Sequence, residues 1–597
     1  MILKLLVYDV DYEIFENKGV IEIFCKDEEG KNFLVRDKNF FPYFYAMPKG
    51  ESEKLREKIE KLETSKIGAK IVEAKIEKKI FEGKEVEVIK IIIDNPRKIP
   101  DVRDAIKDWE DVEETFEYDI PFYKRYLLDK KIEPMGWIEV EGKEVKIENK
   151  FKVDKVIEAE NVFAVDYDKE VNFKIMSFDT EWIEENGKDK LIMLSLVGND
   201  GFKKVLTCYE WGNKPSFVES LKNEKEIIQR FVEIVEEEDP EFLVGYNSDG
   251  FDFPKLRKKA DEFKISLKLG KDGKEVRSVR RGRISSTKIR GRVHLDLFVF
   301  IDHILSANLK SEVLTLDEVS QELLGIGKKE MGYKEMVEIW SKKEQLERLV
   351  EYSLWDSELT LKLAENILPQ IFSLSKLTKL LPFDVCRNTY SQLVEAFYMS
   401  KAVEDNLLIP NRPKKEEIEK RRLAPPYKGA IVIEPKKGIH SNVLVFDFRS
   451  LYPTIIVTHN ISPENLNCGH GECKEKNTVP ETKYYFCIKR EGFIPKHIRK
   501  LIEMRNEVKE KMKKVKRNSL DFIKLNNFNQ ALKTIANASY GYFGFVGARW
   551  YKRECGSACA AWGRKYIKQV IEMAKKNGFE VIYGDTDSCF LKLKDNN

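Results

Sequence analysis

Residues 443–456 read VLVFDFRSLYPTII, and residues 581–594 read VIYGDTDSCFLKLK. Both open on β-branched and aromatic residues at the density of a strand. In the first, Asp447 is expected to cap a buried strand. In the second, Gly584-Asp585-Thr586-Asp587 reads as a turn joining two apolar strands. Asp585 and Asp587 stand at i and i+2, so their side chains face one way. They can share a cation with Asp447. Hard oxygen ligands favour magnesium over zinc there, and Cys589, one thiol with no His beside it, makes no zinc site.

A lone Asp-Thr-Asp is a common surface turn. Paired with residues 443–456, it suits nucleotidyl transfer. Ions held there would lower the pKa of an attacking hydroxyl and steady a leaving pyrophosphate.

A second acid set lies upstream. In IMSFDTEW, the apolar run Ile175–Phe178 leads to Asp179 and Glu181, again at i and i+2. Like charges so placed repel unless a cation sits between them. LVGYNSDGFDFP brings Asn247 and Asp252 after another apolar strand, and EYSLWDSELTLKL reads as a helix with Tyr352 and Asp356 one turn apart. Four acids and a tyrosine on separate elements suit a two-metal phosphodiesterase, with the tyrosine positioning the nucleophile.

Phosphate-gripping helices are expected between 496 and 540, joined near Asn518. KHIRKLIEMRNEVKEKMKK carries Arg505 and Lys509 beside an apolar stripe of Ile498, Leu501, Ile502 and Val508. QALKTIANASYGYFG carries Lys533, with Asn537 one turn on. Three cations and an amide are what a triphosphate needs.

The rest of the chain sets bounds. At about 150 residues per domain, 597 residues imply about four domains. Hydrophobic residues make up 42%, enough for ordinary cores, and excess charge at 35% hints at heat adaptation. Net charge is only +3, so nucleic-acid contact has to come from local patches. Residues 268–292 hold ten Lys/Arg against two acids and fit either a single-stranded DNA track or a solvated hairpin. No apolar run reaches the ~18 residues of a membrane span. MILKLLVYDVDY, broken by Asp9 and Asp11, reads as a strand rather than an export signal, and a cytoplasmic location is expected.

Residues 1–130 pattern as a small α+β domain and 130–172 as a hairpin and linker. Strands and helices alternate from Lys174 to about Asn366, the α/β signature. Residues 414–421 read as a solvated helix. Cys468, His470, Cys473 and Cys487 form one cluster, open to three readings: plain thiols, a disulfide, or a structural zinc site.

Together these motifs resemble those of family B DNA polymerases, and most closely the archaeal ones. Asp-x-Glu at 179–181, Asn247 with Phe251-Asp252, and Tyr352-x3-Asp356 resemble the three exonuclease motifs. DFRSLYP and YGDTDS resemble the polymerase motifs, and Lys533-x6-Tyr540-Gly541 resembles the fingers motif. FEYDIPFYKRYLLDK at 116–130 and ARWYKRECGSACAAWGRKYI at 548–567 fit as well. The resemblance implies a multidomain α/β and α+β protein. It would comprise an N-terminal α+β domain at 1–165 with a return segment at 368–408, an RNase H-like 3′→5′ exonuclease domain at 166–367, an antiparallel palm at 409–495 and 546–597, and two-helix fingers at 496–545.

By the same resemblance, primer-template DNA and dNTPs are the substrates, with two Mg2+ or Mn2+ ions per site. Tyr452 would be the steric gate against a 2′-hydroxyl, and the Phe448 carbonyl an extra metal ligand. Arg505, Lys509 and Lys533 would hold the triphosphate, while Asn537 and Tyr540 line the nascent pair. Ala538 replaces the family's usual Ser, which removes a secondary contact. Tyr427, Lys428, Gly429 and Ala430 resemble the Tyr-x-Gly-Gly loop that touches template, with Ala for the last Gly. Tyr12, Pro42, Ile99, Ile120, Phe122 and Arg125 match the pocket that senses uracil in template. Their other reading is core of a small β domain.

The family continues past the metal hairpin with more palm, a thumb and a clamp-binding peptide. The sequence ends at Asn597. The expectation is an incomplete palm, no thumb, and a natural split completed by a C-terminal polymerase chain that also reaches the sliding clamp; a truncated fragment is the other reading. The rival function is a DNA-binding exonuclease module whose polymerase site is silent when alone.

Overall fold

The computed structural model describes residues 1–64, 67–147, 151–281, 284–327, 331–517 and 519–593. The joint expected at Asn518 lies outside them.

The first strand, Ile2–Phe15, is buried on both faces from Leu5 to Asp11, with Asp9 and Asp11 among the buried residues. Leu5, Val7 and Val10 point into a closed five-stranded barrel, while Leu6 and Tyr8 point outward against Phe242 and Val293 of the next domain. Strands Trp137–Glu144 and Lys155–Val165 complete that barrel, antiparallel to each other. The expected hairpin is therefore present, but the span is barrel wall rather than linker. A second sheet of four strands, running from Tyr43 to Phe116, is covered by helices Ser52–Glu60 and Ile99–Ile106.

The next domain is a six-stranded mixed sheet. Three strands pair antiparallel (Ile175–Glu185, Lys188–Gly198, Lys203–Thr207), and Phe242–Gly245 and Val293–Asp296 add parallel beside Ile175–Glu185. Helices Glu224–Glu238 and Asp252–Phe263 cover one face. The 33-residue helix Leu346–Thr378 covers the other. Further along, the same helix leaves the sheet. Leu363, Ile367, Ile371 and Leu374 then share an apolar cluster with Ala531, Leu532 and Ile535 of helix Leu520–Tyr542.

The return segment runs through helices Pro382–Arg387 and Tyr390–Glu404. It regains the N-terminal sheet at Leu407, which bridges Ile80. The expected solvated helix is present at Lys415–Leu423, with no buried residue.

The palm sheet has the order Val432–Ile433, Phe579–Asp585, Ser588–Leu593, Val443–Asp447. Helix Arg553–Lys576 packs Ile567, Ile571 and Ala574 against Val581, Cys589 and Leu591. Strand Val443–Asp447 is an edge strand and is exposed: Val445 keeps 57% of its surface and Phe446 53%. The buried strand expected there is corrected accordingly. Its apolar residues reflect β propensity at an edge, with no second layer over them among the described residues. Helices Phe493–Met512 and Leu520–Tyr542 pack against each other where the fingers are expected.

Candidate active sites

The upstream acids are set by strand period and helix seating. Asp179 and Glu181 share one side of Ile175–Glu185, and a bulge follows at Glu181/Trp182. Small hydroxyl residues let the long helix approach the sheet closely. Ser195 donates to the Ser353 carbonyl at 2.8 Å, and Ser177 donates to the Ser357 carbonyl at 2.7 Å. This seating delivers Asp356 to the strand acids. Ligand oxygens of Asp179, Glu181 and Asp356 all lie within 4.8 Å of one another. Such a set of hard, mostly buried oxygens fits a divalent cation. Tyr352 precedes Asp356 by one turn and is buried.

Asp252, the fourth expected ligand, is not in that trio. It begins helix Asp252–Phe263, and its carboxyl bonds the Thr180 hydroxyl. Thr180 lies between Asp179 and Glu181 and so projects from the other face of the strand. Burial, with the Asp296 charge nearby, pushes the Asp252 carboxyl up to about 7.

The loop before Asp252 hangs on a buried polar network that the motif reading missed. Arg387 Nε donates to Asp249 Oδ2 at 2.7 Å, and Arg387 Nη1 donates to the His294 carbonyl at 3.0 Å. Asp296 accepts from the backbone N–H of Asn247 and of Asp249, each at 2.8 Å. Asn247 itself takes the left-handed conformation, φ +60°. Asp249 sits inside the quoted motif, yet its partners are 38 to 138 residues away.

In the palm, Asp447 pairs across the sheet with Ser588, and Asp585 pairs with Ser588 across the hairpin. The Phe448 N–H donates to the Asp587 carbonyl at 2.8 Å. These bonds place the strand end and the hairpin tip side by side. Thr586 adopts φ +52°, which lets the tip turn between its two acids. Burial, then the Asp447 charge, then that of Asp585, hold the Asp587 carboxyl above its ordinary range. Mutually repelling carboxylates are what a divalent cation relieves, so Asp447, Asp585 and Asp587 fit one too. They are not drawn as close as the upstream trio.

Above them, Tyr452 stacks on Tyr540 with ring centroids 4.0 Å apart and planes 11° from parallel. Burial pushes the Tyr452 phenol up to about 12. The Tyr427 hydroxyl reaches Tyr540 in turn, so the three expected rings form one row. Lys533, Asn537 and Tyr540 follow at helical spacing on one side of Leu520–Tyr542.

Arg505 is fixed by Asn529 Oδ1 at 3.2 Å and by the Ser450 hydroxyl at 3.1 Å. The Lys509 ammonium is held below its usual range by burial and by the charges of Arg505, Arg449 and Lys533. Arg449 is thus a fourth cation at this spot, bonded to Asn506. It lies within DFRSLYP, and its position two residues after Asp447 was the available signal.

Two other expectations fare differently. The basic segment forms the hairpin Arg277–Arg281/Ile284–Lys288, but its charges are largely spent on acids. Arg277 and Lys288 meet Asp11, Lys274 meets Glu13, and Lys271 and Arg292 meet Asp239. The side chains at 280–284 lie outside the described residues. The candidate uracil residues are spread over three apolar clusters: Ile99 in one, Ile120 in a second, Phe122 in a third. Tyr12 meets Phe122 edge-on at 5.5 Å, the Pro42 carbonyl accepts from Ile93, and buried Arg125 pairs with Glu117.

A cavity of about 600 Å³ lies between the N-terminal and return segments, lined by Ile120, Lys124, Arg387 and Arg549 among others. Neither acid cluster lines it. Among the described residues, no helix is long and apolar enough to cross a membrane.

Comparison with known proteins gives the family. The sequence profile of DNA polymerase family B matches residues 383–597, and that of the family's exonuclease domain matches 113–319. A DNA polymerase of Pyrococcus glycovorans is 36% identical over 595 residues, spanning 98% of this chain and 71% of that protein. One from Thermococcus gorgonarius is 36% identical over 599 residues with the same shares. The structure of the family B DNA polymerase from the hyperthermophilic archaeon Pyrobaculum calidifontis superposes with a TM-score of 0.84 at 30% identity. It covers 99% of this chain and 75% of that one. The chain belongs to DNA polymerase family B and carries the family's exonuclease domain.

Proposed function

We propose that this polymerase adds dNTPs to a primer 3′-hydroxyl at Asp447, Asp585 and Asp587, and excises mispaired 3′ ends at Asp179, Glu181 and Asp356. Asp252 would act from beside that trio. Each site would hold magnesium or manganese. Bound there, such ions would neutralise phosphate charge and lower the pKa of the attacking hydroxyl or water. The chain's own residues do the rest. Arg449, Arg505, Lys509 and Lys533 draw the triphosphate to the foot of the fingers. The Tyr452 ring excludes a 2′-hydroxyl, and Tyr427 with Gly429 touches template. Tyr352 orients the water for excision.

The strongest support is the separation of two acid clusters on different sheets, one tight and one at a hairpin tip. Asp587→Asn should cut primer extension at least about a hundredfold, the effect of losing several kcal/mol of charge stabilisation, and leave excision intact. Asp179→Ala with Glu181→Ala should do the reverse. Loss of both activities in either variant, with folding intact, refutes two independent sites. The rival reading, an editing module silent in synthesis, predicts no extension by the unaltered chain until a C-terminal polymerase chain bearing a thumb is supplied in trans.

A further inference from the structure

Between palm helix Leu451–Thr458 and fingers helix Phe493–Met512 the chain makes an irregular excursion, residues 459–492. It contains a 3-10 turn, Pro463–Asn465, one short α-helix, Gly471–Lys476, and two isolated bridges, Leu466↔Phe486 and Thr478↔Tyr485. Its backbone bonds are scattered over turns, caps and those bridges rather than laid in a ladder. Yet it forms the pedestal of the fingers. Asn460 Oδ1 accepts from Gly492 N–H at 2.8 Å, Glu464 Oε1 from Phe493 N–H at 2.6 Å, and the Ser462 hydroxyl from Ile494 N–H at 3.3 Å. Those are the otherwise unsatisfied donors at the start of the helix that carries Arg505 and Lys509. His459, stacked 3.6 Å from Trp562, ties the other end to the palm.

Cys468, His470, Cys473 and Cys487 converge inside this span. Their ligand atoms all lie within 4.8 Å of one another, and all nine cysteines of the chain are free thiols. His470 Nδ1 stands 3.2, 3.8 and 3.7 Å from the sulfurs of Cys468, Cys473 and Cys487. A tetrahedron with Zn–S about 2.3 Å and Zn–N about 2.0–2.1 Å has sulfur-to-nitrogen edges of about 3.6 Å, the middle of that range.

The surroundings suit thiolates. Ile488 N–H donates to Cys473 Sγ at 3.4 Å, and the N–H groups of Lys489 and Arg490 are aimed at Cys487. Gly469, at φ +81°, makes the tight turn that brings Cys468 and His470 to one side. Cys473 and Cys487 are fully buried, whereas Cys468 and His470 are on the solvent side. A disulfide would use two of the three sulfurs and leave the third, with the imidazole, unexplained. The hard-oxygen sites described above have no such donors.

We infer that Cys468, His470, Cys473 and Cys487 bind one structural zinc ion, which cross-links the fingers' pedestal within itself. All four corners are protein ligands, so the site is closed and structural, with no open position for catalysis. Zinc binding also releases protons from thiols and adds its binding energy to folding.

The test uses the full chain, saturated with zinc, desalted, and measured by elemental analysis and thiol titration. About one zinc per chain is expected, with the thiols titrating only after a strong chelator or organomercurial strips the metal. The chelator should also lower the melting temperature. Cobalt in place of zinc should give the visible bands of a tetrahedral site and a thiolate charge-transfer band. Cys468→Ser and His470→Asn sit at the solvent side and should fold, but lose or weaken that band and the metal. Cys473→Ser should lose the metal entirely. A zinc-saturated chain that retains no zinc, or zinc retained equally by all three variants, overturns the assignment. So does a chain with two fewer titratable thiols and no metal, which would mean a disulfide.

Discussion

Arg387→Met should loosen the editing domain while leaving the palm alone. The Arg387 side chain is 2% exposed, and that of its partner Asp249 is fully buried. Burial pushes the Asp249 carboxyl up, but the Arg387 guanidinium and the N–H of Thr287 hold it below the ordinary range. Methionine keeps most of the stem and removes the charge, so Asp249 is left buried and uncompensated. Breaking a buried pair from one side costs about 3–5 kcal/mol. For a domain of about 200 residues, each kcal/mol shifts Tm by about 2–4 °C, so the editing domain should melt roughly 6–20 °C earlier. Asp252 follows Asp249 by three residues, so excision should fall more steeply than extension. Calorimetry of the full chain gives the first quantity, and parallel excision and extension on one primer-template give the second. Adding Asp249→Asn should restore part of the loss, because the stranded charge is gone. A Tm drop under about 3 °C, or equal loss of both activities, would show that this network does not support the loop as described.

Two further outcomes can be measured on the same chain. Burial pushes the His294 imidazole down to about 4. The unfolded chain takes up a proton near pH 6.5 that the folded chain refuses, so this contribution is complete above about 6.5 and is lost as pH falls toward 4. The Tm advantage of the unaltered chain over His294→Gln should therefore shrink across that window, by on the order of 3 kcal/mol in stability; an advantage that stays constant rules the idea out. At Gly556, an added Cβ would meet the Tyr427 hydroxyl at 2.8 Å. Gly556→Ala should cost about 1 kcal/mol and push Tyr427 off the row with Tyr540, raising the ratio of excision to extension; an unchanged ratio would remove Tyr427 from the balance.

Some of this architecture was legible because its causes are local. Strand period alone put Asp179 with Glu181 on one side, and the same rule puts Thr180 on the other. Helical spacing alone put Tyr352 with Asp356, and Lys533 with Asn537; Tyr540 rests on the resemblance to the fingers motif. Other features depend on partners far along the chain and left no local trace. Arg277 and Lys288 look like a free basic strip until Asp11 is brought beside them. Asp252 looks like one of four equal ligands until Thr180 faces it. The strand Val443–Asp447 has an apolar sequence that suits a buried position as well as an exposed edge, and only sheet order separates the two. Trp137–Glu144 and Lys155–Val165 looked like a hairpin leading into a linker because closing a barrel needs pairing with strands more than a hundred residues earlier.

The helix Leu346–Thr378 carries Asp356 near one end and seats the fingers with Leu363 to Leu374 near the other. At 1.5 Å per residue, Asp356 and Leu374 are about 27 Å apart along one continuous helix, with Pro369 inside it. Each residue also turns the axis by about 100°, so one residue inserted between those points would swing Asp356 a quarter-turn or more out of phase with the seat of helix Leu520–Tyr542. The upstream acid cluster and the seat of helix Leu520–Tyr542 are thus indexed to each other by the pitch of one helix, and its length tolerates change only in whole repeats.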